Sequence, residues 1–221
     1  IGYQALDANT TGLYNLAIGA QALGANVDGD LNVAIGYQSM EVFEPADAEG
    51  KNVAIGVNSG RYISVGENNT FVGTYAGQGI SGTRLTGHNN TAVGKGAGLL
   101  LQGAANTNTA LGYLSGSAIT TGNNNTVVGS SAGDALVDGI MNTIIGSGAG
   151  ASATGATNQT LVGFDCQGIG DNYAVIGDGN TTRVYAADDV GATLYAGSAT
   201  VQTSDRRIKE DIKDSVLGLE F

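Results

Sequence analysis

The chain has 221 residues, of which 42% are hydrophobic and 13% are charged, and its formal net charge is -11 at pH 7. This apolar content excludes wholesale disorder, and the nine Lys and Arg residues are scattered singly, which argues against binding to nucleic acid or an anionic membrane surface. The 37 glycines beside a single proline favour a regular, glycine-punctuated β architecture over helix, collagen or a flexible linker.

A five-residue unit recurs along residues 1–177. It consists of Asn, two small or apolar residues, then Ile, Val or Leu, and a closing Gly, and degenerate copies at 159–163 and 173–177 lack the Asn. Closing glycines are mostly 17 residues apart, with longer intervals of 20, 21 and 18 residues. This spacing predicts an all-β chain, folded as a parallel β-solenoid (β-roll) of about ten 17-residue coils.

Each unit is expected to form one short strand in which side chains alternate between two faces. We expect the two flanking residues, such as Leu16 and Ile18, to point into the coil, and the central residue, such as Ala17, to point outward. Both faces are apolar, so the outward one would form a continuous apolar stripe, which soluble monomers avoid. The sequence therefore predicts that another chain covers this stripe.

Other positions keep the same register. A small residue follows the closing Gly by three residues, and one of these is Cys166, which we expect to be a buried substitute for Ala. A glycine often lies three residues before the repeat Asn, where we expect a corner with positive φ. Seven residues after the closing Gly comes a branched apolar residue, which predicts a second inward-facing position. Its members are Ile63, Ile80, Leu101, Ile119 and Leu136.

The repeated Asn residues are predicted to form a structural ladder, each amide bonding the turn backbone and the Asn of adjacent coils. They are Asn15, Asn32, Asn52, Asn69, Asn90, Asn108, Asn125 and Asn142. The threonines that follow many of them raise the alternative of an ice-binding surface. Because Leu16, Val33 and Val53 occupy equivalent sites, however, this column is expected to face inward.

The units at 32–36 and 52–56, both Asn-Val-Ala-Ile-Gly, and the unit Asn-Leu-Ala-Ile-Gly at 15–19 resemble the head repeat of trimeric autotransporter adhesins. That head is a left-handed parallel β-roll of three chains. The resemblance covers about residues 1–177 and implies a homotrimer, whereas the residue pattern alone indicates only that the chain is not a monomer.

The repeat ends at residue 177, and residues 178–203 are predicted to form a β stem. Beyond it, Ile208, Ile212 and Val216 follow helical spacing, so a helix is expected to begin near residue 204.

Residues 203–212, Thr-Ser-Asp-Arg-Arg-Ile-Lys-Glu-Asp-Ile, are similar to the entrance of the C-terminal intramolecular chaperone of endosialidases, phage tail spikes and fibres. The resemblance implies that 204–221 begins a truncated domain of this kind. It also implies that Ser204 and Lys209 form a self-cleaving dyad, in which the lysine takes the serine proton. The alternative is that Ser204 caps a helix and Lys209 is a solvated charge.

Insertions at 41–49 and 81–86 lengthen two coils, and insertions in a solenoid project from one edge. Such loops are candidates for receptor contact, and the alternative is tolerated loop growth. The candidate contact residues are Phe43, Tyr62, Tyr75, Arg84 and Tyr113.

Metal and cofactor sites are not predicted. Asp188 and Asp189 lack a calcium-binding motif around them, and His88 is the only histidine.

Together these features favour a structural, homotrimeric fibre protein of a phage tail or similar extracellular appendage. Its partners would be copies of itself, other tail or appendage proteins, and a host-surface glycan or protein receptor, with no nucleic acid and no membrane. No enzymatic activity is expected beyond single-turnover self-cleavage in a full-length parent. A bacterial trimeric surface adhesin is the alternative, and a polysaccharide-degrading tailspike is a third hypothesis.

Overall fold

The computed structural model describes residues 1–44 and 50–182. Ten three-residue strands form one parallel sheet in chain order, so successive strands are joined by nine turns of a β-solenoid. This confirms the predicted fold class. The strands are β1 (Leu16–Ile18), β2 (Val33–Ile35), β3 (Val53–Ile55), β4 (Thr70–Val72), β5 (Thr91–Val93), β6 (Thr109–Leu111), β7 (Thr126–Val128), β8 (Thr143–Ile145), β9 (Thr160–Val162) and β10 (Ala174–Ile176).

Strand register is constant along the sheet. The central residue of each strand pairs with the central residue of the next, as Ala34 does with Ala54 and Ala54 with Phe71. The longer coils keep this register, so their extra residues are accommodated away from the sheet. With about 4.8 Å between adjacent strands, the sheet runs for about 43 Å along the solenoid axis.

The predicted assignment of the strand faces is wrong. The central residues point into the coil and are buried in β1 to β9, whereas Leu16 is 46% exposed and Ile18 is 38% exposed. A 17-residue coil encloses a narrow interior, which favours one side chain per strand, and five of the ten central residues are alanine. Phe71 is the largest central residue, and Gly77 makes room for it, since a Cβ on Gly77 would lie 2.5 Å from its ring.

The second inward-facing row is present, but one of its predicted members is replaced by another residue of the chain. Ile63, Leu101, Ile119 and Leu136 are buried as predicted. Ile80 is only half-buried. Leu85 is buried in its place and pairs with Ile63 in a parallel bridge, because the intervening insertion turns back on itself through an Ile80–Thr83 bridge.

The column of small residues is buried throughout, including Cys166. Its serine hydroxyls bond within the coil rather than to solvent. Ser39 donates to the carbonyl of Ala54 at 2.9 Å, and Ser115 donates to the carbonyl of Val127 at 2.7 Å. Larger side chains would have to displace the strand backbone at this point.

The prediction of positive φ at the turn glycines is also wrong. Gly122 does not have a positive φ, and it is required because a Cβ there would lie 2.5 Å from the carbonyl oxygen of Gly139 in the next coil. The residue before the repeat Asn adopts the left-handed conformation instead, and Asn124, for example, has a φ of 58°. The closing glycines also have positive φ.

The solenoid belongs to a compact unit spanning Ile1–Thr181. Beyond β10 the described chain makes a turn, in which the backbone N–H of Thr181 donates to the carbonyl of Asp178. The predicted stem is described only as far as residue 182, and the predicted C-terminal helix lies outside the described residues. Within residues 1–44 and 50–182, no helix has the length and apolarity needed to cross a membrane.

Candidate functional site

The outward side of the sheet is the main candidate surface, and we call it the strand face. It has four columns. Two are rows on the strands, formed by the residue after each repeat Asn and the residue before each closing Gly. The other two are corner columns, formed by the residue before the Asn and the residue after the Gly. These positions lie on the outward side because the central residue between them points into the coil.

A continuous aliphatic row runs along this face. Every one of the ten strands ends on a branched aliphatic side chain, and these side chains range from half-buried to exposed in the single chain. They are Ile18, Ile35, Ile55, Val72, Val93, Leu111, Val128, Ile145, Val162 and Ile176. Soluble proteins normally expose apolar side chains singly, so a continuous apolar row of this length is unusual on a surface in contact with water.

The neighbouring row changes chemistry along the solenoid. It begins with Leu16, Val33 and Val53 and continues with threonines from β4 to β9. We predicted that these threonines face inward, and this is wrong, because each lies on the outward side and is half-buried or exposed. The main objection to an ice-binding surface is thereby removed.

The strand face is almost free of charge. From β1 to β9, the two rows and two corner columns contain no Asp or Glu, although the chain carries 20 acidic residues. Their only charged side chains are Lys51 and Lys95. The acidic residues of the coils from β1 to β9 therefore lie outside these four columns, whereas Asp178 follows the closing glycine of β10 and lies in a corner column.

The strand face is long and narrow. Its two rows run along all ten strands, for about 43 Å at about 4.8 Å between adjacent strands. The two corner columns flank these rows at the points where the backbone turns.

The eight repeat Asn residues lie in one column beside the strands. The backbone N–H of Asn69 donates to Oδ1 of Asn52 at 2.8 Å, and the same bond recurs between all neighbours in the column. Most of the amide groups also donate to a turn carbonyl, as Asn108 Nδ2 does to Gly122 at 2.7 Å. These buried amides tie each coil to its neighbours.

A second ladder, which the sequence reading missed, occupies the corner two residues before the repeat Asn. The backbone N–H of Glu67 donates to Nδ1 of His88 at 3.1 Å, and that of His88 donates to Oδ1 of Asn106 at 2.7 Å. Asn106 continues the series through Oδ1 of Asn123 at 2.7 Å. In the sequence, the signal for this ladder was the recurrence of side chains that accept hydrogen bonds two residues before the repeat Asn.

The predicted receptor contacts are not brought together. Phe43 is a correction, because it is fully buried at the second inward position of its coil and cannot touch a receptor. Tyr62 is half-buried, and the Arg61 guanidinium lies over its ring, 4.9 Å from the ring centre. Arg84 is exposed in the 81–86 insertion, Tyr113 is exposed in a corner column of the strand face, and Tyr75 is exposed one residue beyond that column.

Two other predictions lie outside the described residues, namely the Ser204–Lys209 dyad and the Asp188–Asp189 pair. In the part of the chain that the structure describes, no group of three or more His, Cys, Asp or Glu side chains is placed to hold a metal ion.

Comparison with known proteins finds no family model that matches the chain and no curated protein with significant similarity to it. The repeat, the strand face and the ladders are therefore the observations from which a function is proposed.

Proposed function

We propose that this chain is one protomer of a homotrimeric extracellular fibre, the shaft of a phage tail fibre or a similar appendage. Its copies associate through the strand face. The observation that carries the proposal is the continuous outward aliphatic row, on a face with no carboxylate from β1 to β9, in a chain of net charge -11.

The chemistry of the face supports a second copy as its occupant. Association removes the aliphatic row from water, and each 100 Å² of apolar surface covered contributes about 2.5 kcal/mol before the costs of association. From β1 to β9 the face carries no Asp or Glu, so no carboxylate of these coils is desolvated when identical copies meet. Its two lysines lie in the corner columns, outside the aliphatic row.

The ladders suit a mechanical role. Every repeat Asn bonds an adjacent coil, and the strands add backbone hydrogen bonds across the same boundaries. A solenoid whose coils each contact only their neighbours extends by repetition, which provides reach without a large globular core. Host contact would fall to exposed side chains such as Arg84 in the insertion.

A bacterial trimeric surface adhesin of the same architecture is the alternative. The chaperone-like segment at 203–212 favours the tail fibre, whereas a membrane-anchoring barrel downstream would favour the adhesin. A polysaccharide-degrading tailspike would need paired catalytic carboxylates in a groove and would release sugar from a polymer.

Ice binding is a second candidate function, favoured by one observation, the outward-facing threonines of β4 to β9. A flat, regular surface suits an ice lattice better than a rugged one. Bulky side chains interrupt the bordering column at Tyr37, Lys95 and Tyr113, so the face fits another copy of the chain better than a crystal plane.

Sedimentation equilibrium of the whole chain tests the proposal. The expected mass is three times the 22.1 kDa of one chain, independent of loading concentration in the micromolar range. A single-chain mass at every concentration would refute self-association, and a stable dimer would refute the trimer. A monomer that also slows ice recrystallisation would favour the second candidate instead.

A further inference from the structure

A groove crosses the first three coils and begins one residue beyond the corner column that follows the closing glycines. It encloses about 260 Å³ and is open to solvent. We call its polar lining residues, Gln4, Asp7, Gln21 and Glu41, the walls and its small lining residues, Gly24 and Ala25, the floor; Val42 also lines it.

Two small residues form the floor of the groove. Gly24 and Ala25 follow the closing glycine by five and six residues, where the coil of β3 carries Arg61 and Tyr62. Gly24 does not have a positive φ, so the turn itself does not demand glycine there. A larger side chain at either position would fill part of the groove.

One wall is held in place by a chain of hydrogen bonds. Gln38 Nε2 donates to Gln21 Oε1 at 2.9 Å and to Glu41 Oε1 at 3.0 Å. The Arg61 guanidinium pairs with the other oxygen of Glu41 at 2.6 Å. These side chains are therefore fixed before any ligand arrives, which lowers the entropic cost of binding.

The geometry points to a binding site for one residue of a neutral, hydroxyl-rich glycan, and we propose this as its ligand class. Amide and carboxylate groups match the hydroxyls of a sugar ring, and the volume lies below the roughly 300–1,000 Å³ of sites for drug-sized ligands. Asp7, Glu41 and the net charge of -11 disfavour anionic sugars. Arg61 already pairs with Glu41, which weakens the attraction for cations. The inference rests on the proposed fibre function, in which a host glycan is one candidate receptor.

Saturation-transfer NMR and calorimetry on the whole chain test the site, with glucose, galactose, mannose and N-acetylglucosamine as probes. At least one should bind with a Kd of about 1 mM, the weak affinity expected of a small open groove. Sialic acid and a short diamine should bind at least tenfold more weakly. Failure of all four neutral sugars, or equal binding of either charged probe, would overturn the inference.

Two variants locate the binding. Ala25→Leu fills the floor and should weaken binding at least tenfold, whereas Ala135→Leu, at the equivalent position of a coil outside the groove, should leave it unchanged. If Ala25→Leu fails to fold, Asp7→Ala at the exposed wall should weaken binding about fivefold, a loss typical of one hydrogen bond. Unchanged binding in the folded variants would overturn the site.

A trimer without sugar binding refutes this inference alone, and a monomer that binds sugar refutes the fibre proposal alone.

Discussion

Replacing Asn108 by alanine should strongly destabilise the solenoid, because Asn108 lies in the middle of the Asn ladder. Asn108 is 2% exposed, and its amide makes four hydrogen bonds. Two are donated, to Asn90 Oδ1 at 3.1 Å and to the Gly122 carbonyl at 2.7 Å. Two are accepted, from the backbone and side-chain nitrogens of Asn125 at 3.2 and 3.0 Å.

The magnitude follows from the groups left behind. Alanine removes all four bonds and leaves the Asn125 N–H and the Gly122 carbonyl without these partners inside the solenoid. A buried unsatisfied group costs about 1–3 kcal/mol, so the free energy of unfolding should fall by about 3–5 kcal/mol. Exposed Asp134→Ala is the control and should change it by less than about 0.5 kcal/mol.

Urea unfolding followed by circular dichroism, at one fixed protein concentration, measures the difference between the two variants. A loss below about 1 kcal/mol for Asn108→Ala would refute the reasoning, because water or relaxation would then be replacing the ladder bonds without cost.

Further predictions concern the coil interior and the turns. Gly77→Ala should destabilise the protein, because the added Cβ would lie 2.5 Å from the Phe71 ring. The same substitution should cost less stability in a Phe71→Ala background, and strictly additive changes in the free energy of unfolding would contradict this. Gly122→Ala should lower the melting temperature although its φ is not positive, since the Cβ would meet the Gly139 carbonyl at 2.5 Å. Gly82→Ala, with no atom within 4 Å of the added Cβ, is the matched control, and equal melting temperatures for these two variants would contradict the close approach.

The solenoid itself was predictable because coil length and Asn register recur from end to end. The inward face was not, since both faces of each strand are apolar and alternation separates two sets of residues without saying which is buried. The contact between Phe71 and Gly77 could not be predicted either, because a glycine stands at the same offset in coils whose central residue is alanine, such as Gly98 with Ala92.

The turns and insertions show a similar limit. Glycine at a corner suggested positive φ, but Gly122 is selected by contact with the coil above, which only the stacked structure reveals. Leu85 replaces Ile80 in the core because the insertion turns back before the coil resumes, and a fixed offset from the closing glycine cannot anticipate this.

The strand face was predicted as an association surface from the wrong set of residues. The conclusion that an apolar row faces outward is unchanged, because the last residue of every strand is a branched aliphatic residue. Exchanging the faces places larger side chains, such as Leu111 and Ile145, on the outside and strengthens the case for a covering chain.

The most direct test of the account is the mass of a double variant, Val93→Lys with Val128→Lys, compared with the unaltered chain by sedimentation equilibrium. Both side chains lie in the outward aliphatic row, so the charges would be buried in the contact between copies but remain solvated in a single chain. The account predicts a trimer for the unaltered chain, and a monomer with an unchanged β-sheet circular dichroism spectrum for the variant. A variant that still sediments as a trimer would show that the copies do not meet through the strand face.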